Sequence, residues 1–382
     1  MKRVALVAAL SLAILRASEP SSLRQRVGKY EVVLRPQKGG LYAGEEMQIE
    51  VRISDASEAD PILGNAPVVR ANVVAVIDMP RMQAMPRITE AAHAESVPGD
   101  YGVHPTFAHG GEYRLALSIT PAGEAPFKVE FPLQVSDADP SRRRKAVPPA
   151  YFMEVIPAPR NPKAGEPVEL RFVVHHRDHP KEAIAAFDLQ HERYLHLVIV
   201  RNDLCCFSHV HPEPVEHAAF RIQHTFTQGG EYHLFADVAP HDAGSQVLSA
   251  TLKVAGASGE KSSIPSTEVR TRVVDGVRFE IDPSMPPARK TGLLTVRVSD
   301  EAGGTLSEWE PYLGAAGHLM GVGPGAMTFV HAHPDGEQVV RPDERKVNFL
   351  VRFPSAGPYK LWVQIQRGGK VITADFPVSV QP

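Results

Sequence analysis

The chain predicts an all-β protein, three tandem β-sandwiches behind an N-terminal signal peptide. Its 382 residues include 34 prolines and 29 glycines, a density of chain breakers that suits short strands joined by turns and opposes long helices. A glycine–tyrosine–leucine phrase recurs three times, as "HGGEYRLAL" at 109–117, "QGGEYHLFA" at 228–236 and "AGPYKLWV" at 356–363. Around it, whole modules repeat at a spacing on the order of 110 residues, the size of a seven-stranded sandwich.

The elements follow in order. Lys2 and Arg3 precede an apolar run over residues 4–15, and Leu15-Arg16-Ala17 reads as a cleavage signature. Such a stretch is too short to span a bilayer and reads as an export leader over residues 1–17. No cysteine follows it and no later segment is long and apolar enough to cross a membrane, so a periplasmic or secreted protein without a membrane span is expected. The modules are placed at 27–137, 150–256 and 270–382. Linkers fall at about 137–150, which holds the basic run "RRRK", and 256–269, rich in Ser, Gly and Lys. The first strand and Pro-rich turn of "YEVVLRPQKGGLYAGEEMQIEVRISD" reappear in "YFMEVIPAPRNPKAGEPVELRFVVHH" and "VRFEIDPSMPPARKTGLLTVRVSD". In each module a Phe-containing strand then leads to a glycine turn, a Tyr-x-Leu strand with period-2 alternation, and a closing strand. The glycine-x-tyrosine step resembles the tyrosine corner of immunoglobulin-like sandwiches, so three immunoglobulin-like domains in tandem are expected.

Charge and cysteine content exclude whole classes. Forty-one basic against 44 acidic side chains leave a net charge of −3, which offers no footprint for nucleic acid. The two cysteines, Cys205 and Cys206, are adjacent, so no disulfide framework holds the fold and it stands on its core.

The chemistry concentrates in a frame that occurs twice. "HLVIVRNDLCCFSHVHP" places His196, His209 and His211, and "HLMGVGPGAMTFVHAHP" places His318, His331 and His333. Both copies read His-x12-His-x-His, although most intervening residues differ. Twelve residues finish one strand, turn, and begin an antiparallel neighbour. Residues two apart on a strand share a face at roughly 6.5–7 Å, and a neighbouring strand lies near 4.8 Å. The spacing therefore predicts one three-imidazole metal site in module two and another in module three, at strand ends set by the following prolines. Asp203 and Asp237 are candidates to complete or orient the first shell, with Gly325 and Gln364 in the corresponding places of module three. His191 stands near enough in sequence to assist the first site. Neutral imidazoles favour copper at the top of the Irving–Williams order, with zinc or another divalent ion also suited.

Module one lacks the frame and carries "MPRMQAMP", with Met79, Met82 and Met85 at every third residue. Its prolines predict a polyproline-like path that stacks the thioethers on one side, and such sulfurs suit Cu(I). Methionines filling gaps beneath a loop are the alternative. His93, His104 and His109 lie nearby without a telling spacing.

"HERYLHLVIVRNDLCCFSHVHPE" with "TFTQGGEYHLFADVAP", and "EPYLGAAGHLMGVGPGAMTFVHAHP" with "FPSAGPYKLWVQIQRGGKVITADFPVSV", resemble exported bacterial proteins that carry Phe-x-His-x-His-Pro. Module one, with "MPRMQAMP" and a later Pro-Gly-x-Tyr, resembles the YtkA-like, FixH-related periplasmic immunoglobulin-like domain. Together these resemblances cover most of the mature chain. They imply an extracytoplasmic β-sandwich protein of heavy-metal, chiefly copper, handling. The ligand roles they imply fall on His196, Asp203, His209, His211 and Asp237, and on His318, His331 and His333; Cys205-Cys206 departs from the pattern.

The expected function is an exported, non-enzymatic metal binder, a copper scavenger or carrier, whose partners are the ion and another exported metal-handling protein. Two other classes fit the fold. A tandem architectural or adhesion protein needs no metal. A three-histidine metalloenzyme would use an open coordination position, but no His-Glu-x-x-His or nucleophile-elbow motif accompanies it.

Overall fold

The computed structural model describes residues 23–82, 85–95, 97–137, 150–257, 267–323, 328–332, 334, 340 and 342–382. The expected leader over 1–17, the third histidine of the second frame, His333, and Gly325 lie outside these residues. Among the described residues there is no α-helix, and the regular elements are strands apart from the 3-10 turn Pro342–Glu344.

Six sheets form, two in each third of the chain. The first third pairs Tyr30–Pro36 with Ile49–Asp60 in one sheet and Gly111–Thr120 with Phe127–Ser136 and Asn72–Asp78 in the other. Alternation explains the packing. Strand Gly111–Thr120 buries Tyr113, Leu115, Leu117 and Ile119 while Arg114, Ala116 and Ser118 are only partly covered, the period-2 pattern of a strand with one face on a core. The second third repeats this with Pro167–His176 opposite Gly230–Pro240, and the last with Thr291–Asp300 opposite Gly357–Arg367. Each pair of sheets closes over its own apolar core.

The repeated phrase is a tyrosine corner in every module. The phenol of Tyr113 donates to His109 O at 2.9 Å, that of Tyr232 to Gln228 O at 2.8 Å, and that of Tyr359 to Ser355 O at 3.0 Å. The glycine two residues before each tyrosine takes φ of 149°, 142° and 129° at Gly111, Gly230 and Gly357, backbone that a Cβ disfavours. Glycine bends the chain, and the phenol then satisfies a carbonyl that the bend exposes.

Modules two and three pack face to face. In module two, strands Phe207–Val210, Leu195–Arg201 and Gly230–Pro240 are neighbours; in module three the equivalents are Phe329–Ala332, His318–Val322 and Gly357–Arg367. Every residue of Leu195–Arg201 and of His318–Val322 is buried, because one face of each strand meets its own core and the other meets the neighbouring module. Val198, Val200, Leu204 and Phe235 join Met320, Val322 and Trp362 in a fourth apolar cluster. Phe207 stacks on Trp362 at 4.4 Å and Phe329 on Phe235 at 4.7 Å. These two stacks are mates under a pseudo-two-fold relation, since the two phenylalanines hold the same place in the repeated motif.

A composite histidine centre between two modules

The register builds the site from the strands upward. His196 lies opposite Asp237 and Val198 opposite His209; in module three His318 lies opposite Gln364 and Met320 opposite His331. Side chains alternate along a strand, so His196, Val198, His209, His211 and Asp237 share the outward face of module two's sheet. Module three presents His318, Met320, His331 and Gln364 in the same way. When the two faces pack, the histidines at one end of the interface meet.

The spacing predicts one site per module, but among the described residues His318 and His331 of the second frame gather beside all three histidines of the first. Ring centroids of His196, His209, His318 and His331 lie 5.6–6.2 Å apart, and that of His211 stands 4.8 Å from His196 and 4.7 Å from His209. His191 borders it, 6.3 Å from His196 and 5.7 Å from His318. Ligand nitrogens of His196, His209 and His211 lie within 4.8 Å of one another. Strands Leu195–Arg201 and His318–Val322 are covered on both faces, so neither module keeps its histidines to itself.

Four rings have their outer nitrogen fixed by an oxygen that can only accept. His196 Nε2 donates to Gln190 O at 2.9 Å and His318 Nε2 to Tyr312 O at 2.9 Å, each partner six residues upstream. His209 Nδ1 donates to Gln364 Oε1 at 2.8 Å, and His331 Nδ1 to Asp237 Oδ2 at 3.0 Å. The last two bonds cross the interface in opposite senses, each module orienting the other's second histidine. A neutral imidazole carries one proton. With that proton held outside, the second nitrogen of each ring is left with its lone pair.

The consequence is visible between His196 Nδ1 and His209 Nε2, which face each other at 3.4 Å. Two lone pairs at that distance make no hydrogen bond. Two nitrogens each about 2.0–2.1 Å from one ion, at a tetrahedral angle, stand about 3.4 Å apart. His211 Nε2 is buried with no hydrogen-bond partner. The donor set thus fits a transition ion, and oxygen acceptors on the outer ring nitrogens are what orient histidine ligands around one.

Electrostatics favour the neutral form of His196, His209, His211 and His318, the form that can hold an ion. Burial, reinforced by repulsion from neighbouring imidazoles, lowers His196 and His211 to about 3 and holds His209 and His318 well below the ordinary histidine value. Asp237 behaves oppositely. Burial alone would raise its pKa, but the bond from His331 and the 2.5 Å bond from Ser245 Oγ outweigh it and hold the carboxyl at about 2. It remains a carboxylate inside the interface.

The remaining expected donors separate. Asp203 does not reach the centre. It lies past the far end of strand Leu195–Arg201 and grips Arg201 through two bonds of 3.0 and 2.6 Å. Cys205 and Cys206 lie in that same turn because the second strand begins only at Phe207; they are free thiols with sulfurs 2.8 Å apart. The methionine run is not polyproline-like. Met82 N–H donates to Met79 O at 2.9 Å and Met85 N–H to Met82 O at 3.0 Å, the first turn set by Pro80 at its second position. Met79 and Met82 then line a cavity of about 210 Å³ where all three modules meet, together with His109, Asp237 and His331. Met85 is buried and does not line it.

Sequence spacing missed Glu90, His93 and His104, whose ligand atoms also lie within 4.8 Å of one another. They are brought together by a change of sheet at Ala92, for which the sequence carries no periodic signal.

No curated protein matches the chain. Among solved structures, it is similar to the adhesin FdeC of Escherichia coli, at 14% identity over 92% of this chain and 96% of that one, with a TM-score of 0.21. It is also similar to the bacterial integrin-binding protein invasin (13%, 92% and 60%, TM-score 0.20) and to SGBP-B of Bacteroides ovatus (11%, 91% and 70%, TM-score 0.20). Among the described residues no helix is long and apolar enough to cross a membrane. The YtkA-like family model matches residues 24–118, and that of the domain of unknown function DUF8832 matches residues 153–256 and again 272–382. With those two stretches spanning more than half of its length, the chain belongs to the DUF8832 family, behind a YtkA-like first module.

Proposed function

We propose that this is an exported, non-enzymatic metal-binding protein, a scavenger or carrier that holds one transition ion between its second and third modules. The ion is copper by preference, because a neutral all-imidazole donor set follows the Irving–Williams order. The observation that carries the reading is that His196 Nδ1 and His209 Nε2 face each other at 3.4 Å, their rings' outer nitrogens pinned to oxygens, beside the buried His211 Nε2. His196, His209, His211, His318 and His331 would hold the cargo, and Asp237 and Gln364 would orient two of them from across the interface. Met79 and Met82, lining the same cavity as His331, supply thioethers suited to the ion in its reduced state. Export rests on the leader read in residues 1–17.

The test is equilibrium dialysis of the mature chain against Cu(II), followed by elemental analysis, for wild type and His209→Ala/His211→Ala. The variant is expected to bind one copper fewer. Equal uptake by both would remove the centre from the account. A purely architectural protein would show the same melting temperature with and without copper, whereas an ion bound only by the folded state raises it.

A further inference from the structure

A second cluster of metal-binding side chains sits on the YtkA-like module, away from the composite centre. Strand Ile88–Ala91 pairs in one sheet of the sandwich and His93–Ala94 in the other. The chain therefore crosses between sheets at Ala92 and brings Glu90 and His93 to one edge. His104 follows directly on strand Asp100–Val103 and closes the group. Its backbone N–H is 3.0 Å from each oxygen of the Glu90 carboxylate, which fixes that carboxylate beside the imidazole. The rings of His93 and His104 stack at 4.9 Å, 13° from parallel. Glu95 Oε1 lies 3.2 Å from His93 Nε2.

The residue opposite His93 in the ladder is Gly102. A Cβ at that position would lie 3.0 Å from His93 Nε2 and 2.3 Å from Glu95 Oε1. Absence of a side chain there is what lets the imidazole and the carboxylate lie over the strand. On the side towards module two, Glu90 and His104 line a cleft of about 430 Å³ together with Tyr151, His176 and His241. His93 keeps half of its side chain exposed, so an ion reaches the cluster from solvent.

We propose that Glu90, His93 and His104 form a second divalent-metal site, with Glu95 as an additional carboxylate. Two imidazoles with one or two carboxylates make a harder, mixed donor set than the buried nitrogens between modules two and three. An exposed site of this kind exchanges its ion with solvent, while the composite centre must open an interface to do so. It stands independently of the composite centre.

The experiment uses Zn(II) alone as the probe on the full mature chain, reading stoichiometry and affinity by dialysis and competition with a chromophoric chelator. His93→Ala/His104→Ala is expected to lose one zinc equivalent and to keep the metal-free melting temperature. His209→Ala/His211→Ala should keep that equivalent and lose the other. Gly102→Ala leaves every donor in place but crowds His93, so it should weaken the site about tenfold or more. Unchanged uptake and affinity in His93→Ala/His104→Ala would overturn the proposal and leave these groups as surface ion pairs. Should that double variant fail to fold, His93→Gln, changed at a half-exposed ring, decides in its place by the same readout.

Discussion

At the scale of single residues, Asp203 and Asp237 show how two carboxylates of one module take unrelated roles. Asp237 accepts from His331 of module three and so decides which nitrogen of that ring faces the centre. Asp203 instead neutralises Arg201, whose side chain is only 5% exposed. Replacing Asp237 with Asn keeps the shape but lets an amide N–H face the ring, which favours the wrong tautomer. Copper affinity is expected to fall about 10- to 100-fold, read by competition with a chelator. Asp203→Ala should leave that affinity unchanged and lower stability by about 1–3 kcal/mol, since it removes the charged partner of a buried guanidinium and leaves it the amide oxygen of Gln228; chemical denaturation measures it. A loss of affinity in Asp203→Ala equal to that in Asp237→Asn would contradict the assignment of both residues.

At the scale of elements, the tandem sandwiches and their tyrosine corners were legible because they rest on local chemistry. Gly111, Gly230 and Gly357 each precede a tyrosine by two residues, and phenol and carbonyl are four residues apart, so one window contains the whole motif. The histidine frames were legible for the same reason, as strand, turn and strand. Their convergence was not, since it depends on which outward faces pack together. One signal for it is present. "LHLVIVR" and "HLMGV" are almost unbroken apolar runs, the pattern of a strand buried on both sides rather than one half exposed. Read that way, these strands call for a partner sheet. The Phe207–Trp362 stack is where the partner is gripped, and Phe329–Phe235 is its mate. Trp362→Ala is expected to cost about 3–5 kcal/mol and to weaken copper binding without removing a ligand, because the rings of module three would lose their fixed position. Denaturation followed by circular dichroism, with copper titration of the same sample, tests both halves. A variant that is destabilised yet binds copper as tightly as wild type would show that the interface does not position the centre.

At the scale of the whole molecule, an ion held as proposed in the centre would link two sandwiches that otherwise hold together through an apolar interface, so metal and pH would act on the same equilibrium. In the metal-free chain His196 and His211 titrate near 3, and His209 and His318 well below the usual value. On unfolding they return to about 6.5. A folded pKa lowered below the unfolded one means the unfolded chain takes up more protons as the solution is acidified. The stability these rings contribute is therefore present above about pH 6.5 and lost as pH falls towards 3. Copper binding responds differently. The folded site is already deprotonated across that window, so protons do not compete with the ion until the folded pKa is approached, whereas ordinary exposed imidazoles release it near 6.5. Melting temperatures of the metal-free and copper-loaded chains should thus both decline below about pH 6.5, while the gap between them persists to about pH 4.5. A thermal-shift series from pH 8 to 4, with and without copper, reads it directly. A gap that has closed by pH 6 would place the ion on exposed histidines instead of in the buried interface.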